Sequence, residues 1–247
     1  FDNEKWAHQV SIHPFTMAAN TVTQREFLAF VEDGGYRHRQ WWSDAGRQWK
    51  EKVKAETPVY WRKQSNGNWL RRDFDRWVPL EPARPVIHVN WHEAEAYCRW
   101  AGRRLPSEAE WEWAASFQPD AVDGESSPAK RRFPWGDADP TPMYANLDWH
   151  CLGTVDVAAL PAGDSALRCR QMIGNVWQWT ADTFLPYPGF QIGPYKEYSQ
   201  PWFHTCKVLR GGSWATRSRL MRNTLRNFFT PDRRDIWAGF RTCALEY

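Results

Sequence analysis

The sequence predicts an α+β fold with small antiparallel sheets, few helices and much irregular loop. Two Ser/Thr-x-x-Glu capping boxes, at Thr23 and Ser107, mark the starts of short helices. The runs that alternate like strands are short, and 18 tryptophans occur beside 15 glycines and 17 prolines among 247 residues. We therefore expect long loops held in place by aromatic side chains, within one globular domain over residues 1–247.

The first third of the chain begins with a predicted strand and helix. Residues 8–17 alternate in polarity as a strand does, and Thr23 opens a helix that ends at the Gly-Gly pair 34–35. Residues 36–85 follow no regular period and are predicted to form an insertion of loops around one hairpin. Its turn is predicted at residues 65–68, where Ser-Asn-Gly-Asn separates two aromatic runs.

The middle of the chain is predicted to hold two helices in succession. The first covers about residues 92–100, and the second begins at the capping box of Ser107 and ends near residue 116. Residues 118–145 are rich in proline, glycine and charge, which is typical of surface loop. Short strands are predicted at residues 155–157 and 171–180.

Charge and hydropathy disfavour two classes of partner. The formal net charge is only +3, and the chain lacks the run of about 18 apolar residues that a membrane span needs. Residues 210–241 contain eight arginines against two aspartates, without lysine clusters or stacking repeats. Arginines beside tryptophans are expected to bind carboxylates or stack on rings within the protein, so nucleic-acid binding is not favoured.

The five cysteines indicate neither a zinc site nor a disulfide framework. None belongs to a CxxC pair and their number is odd, a pattern that fits a reducing cytoplasm. The chain begins at Phe1 with neither an initiator methionine nor a signal-like segment, so we expect a further segment upstream of this sequence.

Several motifs, spread over nearly the whole chain, follow an order found in a known superfamily. They are TVT at 21–23, VNWHEA at 89–94, RLPSEAEWE at 104–112, GNVWQWT at 174–180, VLRGGSW at 208–214, RNFFTPDRR at 226–234 and AGFR at 238–241. In this order they resemble the formylglycine-generating-enzyme superfamily, whose fold is related to C-type lectins. The resemblance implies that fold here. It is less specific for function, because the superfamily contains oxidases, sulfoxide synthases and plain binding modules.

The resemblance does not extend to the chemistry of the formylglycine-generating enzymes themselves. Those enzymes carry two cysteines shortly after the Arg-Gly-Gly-Ser motif, and both are needed as thiolates to hold copper. The matching stretch here, residues 214–221, contains no cysteine. Threonine or methionine cannot replace a soft thiolate at such a site, so this activity is not expected.

A second set of motifs resembles one branch of the superfamily. FVEDGGY at 30–36, ANLDW at 145–149, LPYPGF at 185–190, YSQPWF at 198–203 and RNFF at 226–229 look like the carboxy-terminal domain of ergothioneine-type sulfoxide synthases and selenoneine synthases. Those enzymes use non-haem iron(II) and oxygen to join sulfur or selenium to the imidazole ring of hercynine. The resemblance implies hercynine and a thiol or selenium donor as the substrates of this chain.

The same resemblance implies a set of substrate-binding residues. Asn227 and Phe228 fall where the family binds the carboxylate and trimethylammonium end of the substrate, and Phe229 falls where some members place an aspartate that helps to choose the sulfur donor. Aromatic faces suit a quaternary ammonium, which has no hydrogen-bond donors, and Trp214 is a further candidate for such a face. Arg226 precedes the pair and completes the predicted set.

A family tyrosine that donates a proton or hydrogen bond is expected at Tyr195 or Tyr198, with Tyr195 preferred. A phenol suits this role because it is neutral at pH 7 and can give up a proton. The alternative is that either tyrosine only packs a loop.

The metal is expected from outside the chain. The synthases hold Fe(II) with three histidines of an amino-terminal helical domain that nothing here resembles. His88 and His92 have the i, i+4 spacing of two helical ligands, but His88 lies in a strand-like run, so the two rings need not converge. The superfamily also binds calcium near the Gly-Asn-x-Trp-Glu-Trp motif, where Gln178 replaces the glutamate here and removes a charged ligand.

Two other functions remain open from the sequence. One is a non-catalytic ligand-binding module of the C-type-lectin-like fold. The other is a different oxidase of the superfamily that takes its metal from His88 and His92.

Overall fold

A computed structural model describes residues 1–119 and 130–245 of the chain. These residues form helices and short strands joined by long irregular segments, which confirms the predicted α+β class. The helices are α1 (Gln24–Glu32), α2 (Asp44–Val53), α3 (Trp91–Trp100) and α4 (Glu108–Ser116). The strands are β1 (Trp61–Lys63), β2 (Trp69–Asp73), β3 (Arg76–Pro79), β4 (Arg103–Arg104), β5 (Trp177–Thr183), β6 (Lys207–Arg210), β7 (Asn227–Phe229), β8 (Ala238–Phe240) and β9 (Cys243–Ala244).

A four-stranded sheet brings the carboxy-terminal motifs together. Its strand order is β7-β6-β5-β8, antiparallel except for the parallel pair β5 and β8. In the register of β6 and β7, Val208 lies opposite Phe228 and Lys207 opposite Phe229. Successive side chains of a strand point to opposite faces, so Phe228 and Phe229 contact different surroundings. A three-stranded sheet β1-β2-β3 and the two-stranded pair β4-β9 complete the sheet structure of the described residues.

Reciprocal capping boxes open three of the helices. Thr23, Asn90 and Ser107 each accept a hydrogen bond from the backbone N–H three residues later, where a glutamate bonds back to the cap residue's own N–H. Each box satisfies two otherwise unpaired N–H groups of the first turn. The boxes predicted at Thr23 and Ser107 are confirmed, and the predicted helix at residues 92–100 is also present.

The predicted insertion contains the expected hairpin and one unexpected helix. Strands β1 and β2 pair across the predicted turn, and β3 adds a third strand. Helix α2 was not predicted, because Gly46 and several charged residues obscure its period. Its buried ring, Trp49, nevertheless stacks on Trp42 just ahead of the helix with centroids 6.0 Å apart, and Ser43 caps the helix by accepting the N–H of Gly46.

Two predicted strands are wrong. Residues 8–15 are mostly exposed and pair with no strand among the described residues, and the segment joins β9 only through a bridge at Met17. Val155 donates its N–H to the Asn175 side chain and Val157 to a loop carbonyl, so residues 155–157 form no ladder. The strand predicted at residues 171–180 begins only at Trp177. Part of the predicted loop at 118–145, residues 120–129, lies outside the described residues.

Aromatic rings build the core between α1, α3 and the four-stranded sheet. Phe27 and Phe30 of α1 pack against Tyr97 of α3 with ring centroids 5.6 and 5.9 Å apart, and Tyr97 contacts Phe240 of β8 at 5.3 Å. Edge-to-face and offset pairs at these distances add stabilisation beyond buried area alone. Within the described part of the chain, every helix is too short or too polar to cross a bilayer.

A buried carboxyl at the start of α3 gives the fold a pH dependence. Glu93 is fully buried, accepts hydrogen bonds from Tyr36 Oη (2.6 Å) and the Asn90 N–H (2.8 Å), and lies 3.9 Å from Arg234. Burial is the dominant effect and raises the pKa of Glu93 from about 4.5 to about 7. The folded state therefore holds the Glu93 proton more tightly than the unfolded state does.

We expect the contribution of Glu93 to stability to be complete below pH 4.5 and to decline as the pH rises towards 7. The loss is roughly 3 kcal/mol at most, since each pKa unit corresponds to about 1.4 kcal/mol. Urea unfolding from pH 4.5 to 7.5 measures this loss, with Glu93→Gln as the matched variant. The free energy of unfolding should depend less steeply on pH in Glu93→Gln than in the unmodified protein. An unchanged dependence on pH would assign the effect to other groups.

Candidate functional site

A buried ion-pair network fixes the position of β7. Glu108, at the start of α4, accepts hydrogen bonds from Nε (2.7 Å) and Nη2 (3.0 Å) of Arg226. It also accepts one from Nη1 of Arg210 (2.8 Å). Arg210 also binds Glu112 (2.7 Å), and its positive charge lowers the pKa of Glu112 against the effect of burial. Buried charges require such pairing, and the amino-terminal turn of α4 is a favourable place for a carboxylate.

Arg226 serves this network rather than an open pocket. Its side chain is 2% exposed, and its remaining N–H groups donate to the carbonyls of Asn3 (2.7 Å) and Leu185 (3.2 Å). The guanidinium lies 4.0 Å from the ring centroid of Tyr187. All five N–H donors are thus used inside the protein, and Arg226 holds the strand that carries the neighbouring candidates.

Phe228 forms an aromatic wall with two other rings. Its ring stacks on Phe184 with centroids 4.1 Å apart and an interplanar angle of 11°, and it meets Tyr198 edge-on at 5.8 Å. Phe184 is fully buried, whereas Phe228 and Tyr198 are half-buried. We call these three residues the aromatic wall. The buried Phe184 ring fixes the orientation of Phe228, and Phe228 in turn packs against Tyr198, which gives a rigid apolar binding surface.

The two candidate tyrosines differ in their surroundings. Tyr195 is 65% exposed, while Tyr198 packs between Phe228 and the ring of Phe1, whose centroid is 4.9 Å away. Burial, with help from the negative charges of two acidic residues near the amino terminus, raises the pKa of Tyr198. Its phenol therefore keeps its proton at neutral pH. The structure places Tyr198 on the aromatic wall and Tyr195 5.9 Å from Tyr198, farther out.

Asn227 and Phe229 flank Phe228 on β7. The amide oxygen of Asn227 accepts the Phe228 N–H at 2.9 Å, which orients the side chain with its oxygen towards the backbone. Phe229 packs against the core cluster, and the guanidinium of Arg233 lies 4.9 Å from its ring centroid. A cation therefore already covers one face of Phe229.

Trp214 lies apart from the aromatic wall. Its ring neighbours are Trp237 (4.6 Å), Trp149 (4.8 Å) and Phe74 (6.5 Å), and none of these rings contacts Phe228 among the described residues. The set predicted from sequence is thus divided. Phe228 and Tyr198 meet at the aromatic wall, Asn227 leaves β7 on the face opposite Phe228, and Trp214 lies elsewhere.

The described residues do not fit a metal centre. Residues 1–119 and 130–245 contain no group of three or more His, Cys, Asp or Glu side chains that could hold a metal ion. His88 Nδ1 bonds to the Arg234 carbonyl at 3.0 Å, whereas the His92 ring stacks on Trp49, so the two imidazoles have different surroundings. Burial lowers the pKa of both histidines.

Gln178 likewise does not fit a calcium site. Its Oε1 accepts hydrogen bonds from Arg241 Nε (2.7 Å) and Trp111 Nε1 (2.9 Å), and its Nε2 donates to the carbonyl of Gln171 (2.9 Å). The oxygen that a cation would need is occupied by two donors, one of them on a positive guanidinium. The side chain acts as a buried structural bridge.

The family of the chain follows from comparison with known proteins. The profile of the sulfatase-modifying factor enzyme 1-like domain, the FGE-sulfatase family, matches residues 1–245. The chain belongs to this family. The FGE-type fold expected from the motifs is therefore confirmed.

Two groups of relatives cover almost the whole chain. It is 43% identical to the hercynine oxygenase of Mycolicibacterium thermoresistibile and 42% identical to that of Mycobacterium tuberculosis, over 97% of this chain and 53% and 55% of the relatives. It is 31% identical to the formylglycine-generating enzyme of Streptomyces coelicolor, over 98% of this chain and 82% of that enzyme. The chain thus spans about half the length of the hercynine oxygenases that it matches.

Solved structures share the fold at low sequence identity. PvdO from Pseudomonas aeruginosa aligns with a TM-score of 0.65 at 21% identity, covering 98% of this chain and 85% of that one. CarF aligns with a TM-score of 0.60 at 18% identity, covering 97% and 89%. These similarities concern the fold alone.

The family's copper-binding thiolates have no counterpart at the expected place. In the stretch after Ser213, Thr216 Oγ1 accepts the Ser213 N–H at 2.9 Å and Met221 is buried in an apolar cluster. Cys98, Cys206 and Cys243 are buried, and burial raises the pKa of each thiol. These three thiols are therefore held protonated rather than prepared as metal ligands.

Sequence reasoning missed Glu108 and Phe184. Glu108 was interpreted only as part of a helix start, although Arg210 and Arg226 needed a buried carboxylate. Phe184 lies in the loop directly after β5, where no hydrophobic periodicity in the sequence indicated that it is buried. A search for acidic partners of the two buried arginines could have found Glu108.

Proposed function

We propose that this chain is the substrate-binding domain of an oxygen-dependent enzyme that joins sulfur or selenium to the imidazole ring of hercynine. The observation that carries the proposal is the aromatic wall beside Asn227, in a chain that is 43% identical to a hercynine oxygenase. An oxidative activity is also supported by the similarity to formylglycine-generating enzymes, whose thiolate pair this chain lacks.

In this proposal the aromatic wall receives the trimethylammonium group. The half-buried faces of Phe228 and Tyr198 offer cation–π contacts worth about 0.5–2 kcal/mol each. Asn227 precedes Phe228 on β7, an edge strand of the sheet, and we propose that its side-chain amide nitrogen donates to the substrate carboxylate. Arg226 is assigned to holding β7 through Glu108, rather than to contacting the substrate.

Tyr198 is our candidate for proton donation. It combines a position on the aromatic wall with a pKa raised by burial, so its phenol remains protonated and can donate a hydrogen bond or a proton to a substrate bound there. Tyr195 is exposed and lies farther from Phe228, so it is the secondary candidate.

The remaining chemistry requires groups that the described residues do not supply. We propose that Fe(II) is held by histidines of a separate helical domain and that oxygen and a thiol or selenium donor are co-substrates. The relatives' additional length would accommodate such a domain. We further propose a cytoplasmic location, because all five cysteines are free thiols, as in a reducing compartment.

Titration of the intact protein with hercynine and with histidine tests the proposal. Histidine keeps the carboxylate and the imidazole but lacks the three methyl groups, so we expect hercynine to bind roughly 2- to 30-fold more tightly. Isothermal titration calorimetry measures both affinities. Equal affinities would remove the trimethylammonium site and with it the proposed substrate.

A further inference from the structure

A cavity lies between the β2-β3 hairpin and the segments that precede α3 and β8. Its volume is about 470 Å³, within the range of small-molecule sites, and its lining includes side chains of the hairpin, Arg84, His88 and Trp237. It shares no lining residue with the aromatic wall. The cavity is therefore a separate place in the fold, and a ligand there need not be hercynine.

Aromatic rings line one side of this cavity. Trp214 and Trp237 lie 4.6 Å apart at an interplanar angle of 52°, and Phe74 meets Trp214 edge-on at 6.5 Å. Phe74 is 60% exposed at the hairpin tip, so its ring forms a free edge of the cavity. A planar or aliphatic group packed against Phe74 and the two indoles would bury apolar surface.

The indole of Trp214 presents an unsatisfied donor at the same place. Trp214 is 1% exposed, and its Nε1–H has no hydrogen-bond partner among the described residues. Leaving a buried donor unpaired costs about 1–3 kcal/mol, and such groups are rare unless a ligand or water completes them. The Nε1 atom is itself closed off from solvent, so a ligand in the cavity would meet the indole ring, and this N–H would report on its binding.

The charges around the cavity favour an anion. Arg71 pairs with Asp73 and Glu81, and Arg84 also pairs with Glu81. Arg72 has no carboxylate partner among the described residues, so the three arginines exceed these two carboxylates by one positive charge. Among the described residues, Arg72 donates one hydrogen bond, from Nε to the Phe74 carbonyl at 2.8 Å. Arg84 uses Nε for Glu81 at 2.9 Å. Both guanidinium groups retain N–H donors for a carboxylate.

The other acidic lining residue is already neutralised. Both carboxylate oxygens of Asp235 accept hydrogen bonds from Arg233, at 2.6 and 2.7 Å. Asp235 therefore does not oppose an anionic ligand.

Backbone strain also concentrates here. Phe74 and His88 both line the cavity, with φ values of +50° and +60° in the left-handed region that costs a non-glycine residue roughly 1–2 kcal/mol. Trp149, which packs against Trp214, has φ +65°. Such residues tend to occur where a fold holds side chains in place for a ligand.

We propose that this cavity binds a small carboxylic acid, whose carboxylate meets Arg72 and Arg84 while its aromatic or aliphatic body packs against Phe74 and the Trp214–Trp237 pair. The site is distinct from the aromatic wall, and either one can exist without the other.

Titration of the chain with phenylacetate tests this, with the indole N–H signals recorded by ¹⁵N NMR and the Trp214 signal assigned through Trp214→Phe. We expect saturable movement of that signal, and about tenfold weaker binding for the neutral analogue phenylacetamide and for Arg84→Gln or Arg72→Gln. Phe74→Ala, an exposed site that tolerates truncation, should also weaken binding. Arg62→Gln is the matched control, because Arg62 stacks on Trp77 outside the cavity.

The proposal is overturned if phenylacetate at millimolar concentrations leaves the Trp214 signal unmoved. It is also overturned if phenylacetamide binds as tightly as phenylacetate, or if Arg62→Gln weakens binding as much as the cavity variants do.

Discussion

Replacing Glu108 with alanine is expected to lower the free energy of unfolding by about 3–5 kcal/mol. The change removes a carboxylate that accepts three hydrogen bonds from two buried guanidinium groups. Arg210 keeps Glu112, but Arg226 is left with backbone carbonyls alone and an uncompensated buried charge. Urea unfolding followed by tryptophan fluorescence measures the loss.

Two variants make the Glu108 result interpretable. Glu51→Ala removes an exposed carboxylate 4.0 Å from Arg39 and should cost less than about 1 kcal/mol. Glu108→Gln keeps the side-chain shape and one acceptor, so it should lie between the other two and remain measurable if the alanine variant does not fold. A loss for Glu108→Ala no larger than that of Glu51→Ala would contradict the network's role.

The second large effect is expected at Tyr198. In the intact protein, Tyr198→Phe should lower the turnover of hercynine by about 100-fold or more while changing its KM by less than about threefold. The variant removes the hydroxyl but keeps the ring that meets Phe228. Steady-state kinetics with hercynine, a thiol donor, iron(II) and oxygen measure both constants.

Tyr195→Phe is the matched control for Tyr198→Phe. Because Tyr195 is 65% exposed, its loss should change turnover by no more than about threefold. Full turnover in Tyr198→Phe would reject Tyr198 as the proton donor. A severe loss confined to Tyr195→Phe would transfer the role to that residue.

Local chemistry made three of the four described α-helices predictable. The capping boxes at Thr23 and Ser107 place a hydroxyl and a carboxylate at fixed spacing, so the sequence alone reveals where those helices begin. Irregular segments carry no comparable local signal. Residues 155–157 look like a strand, yet the N–H groups of Val155 and Val157 bond to partners 20 and 74 residues away in the chain.

The candidate site could likewise be predicted only in part. The motifs pointed to Asn227, Phe228 and the two tyrosines as candidates. They did not reveal which of the two tyrosines meets Phe228. Their grouping depends on contacts between distant segments, such as Phe1 on Tyr198 and Glu108 on Arg226. Trp214 was predicted to join them as a further aromatic face for the quaternary ammonium, and only the three-dimensional structure shows that it lines a cavity elsewhere.

The central claim is that the aromatic wall binds the trimethylammonium group of hercynine. Calorimetric titration of the intact protein with hercynine and histidine, in the Phe228→Leu and Trp214→Phe variants, tests it most directly. We predict that Phe228→Leu weakens hercynine binding by roughly 2- to 30-fold and removes most of the preference over histidine, while Trp214→Phe leaves that preference intact. Loss of the preference in Trp214→Phe, with Phe228→Leu unaffected, would contradict the claim.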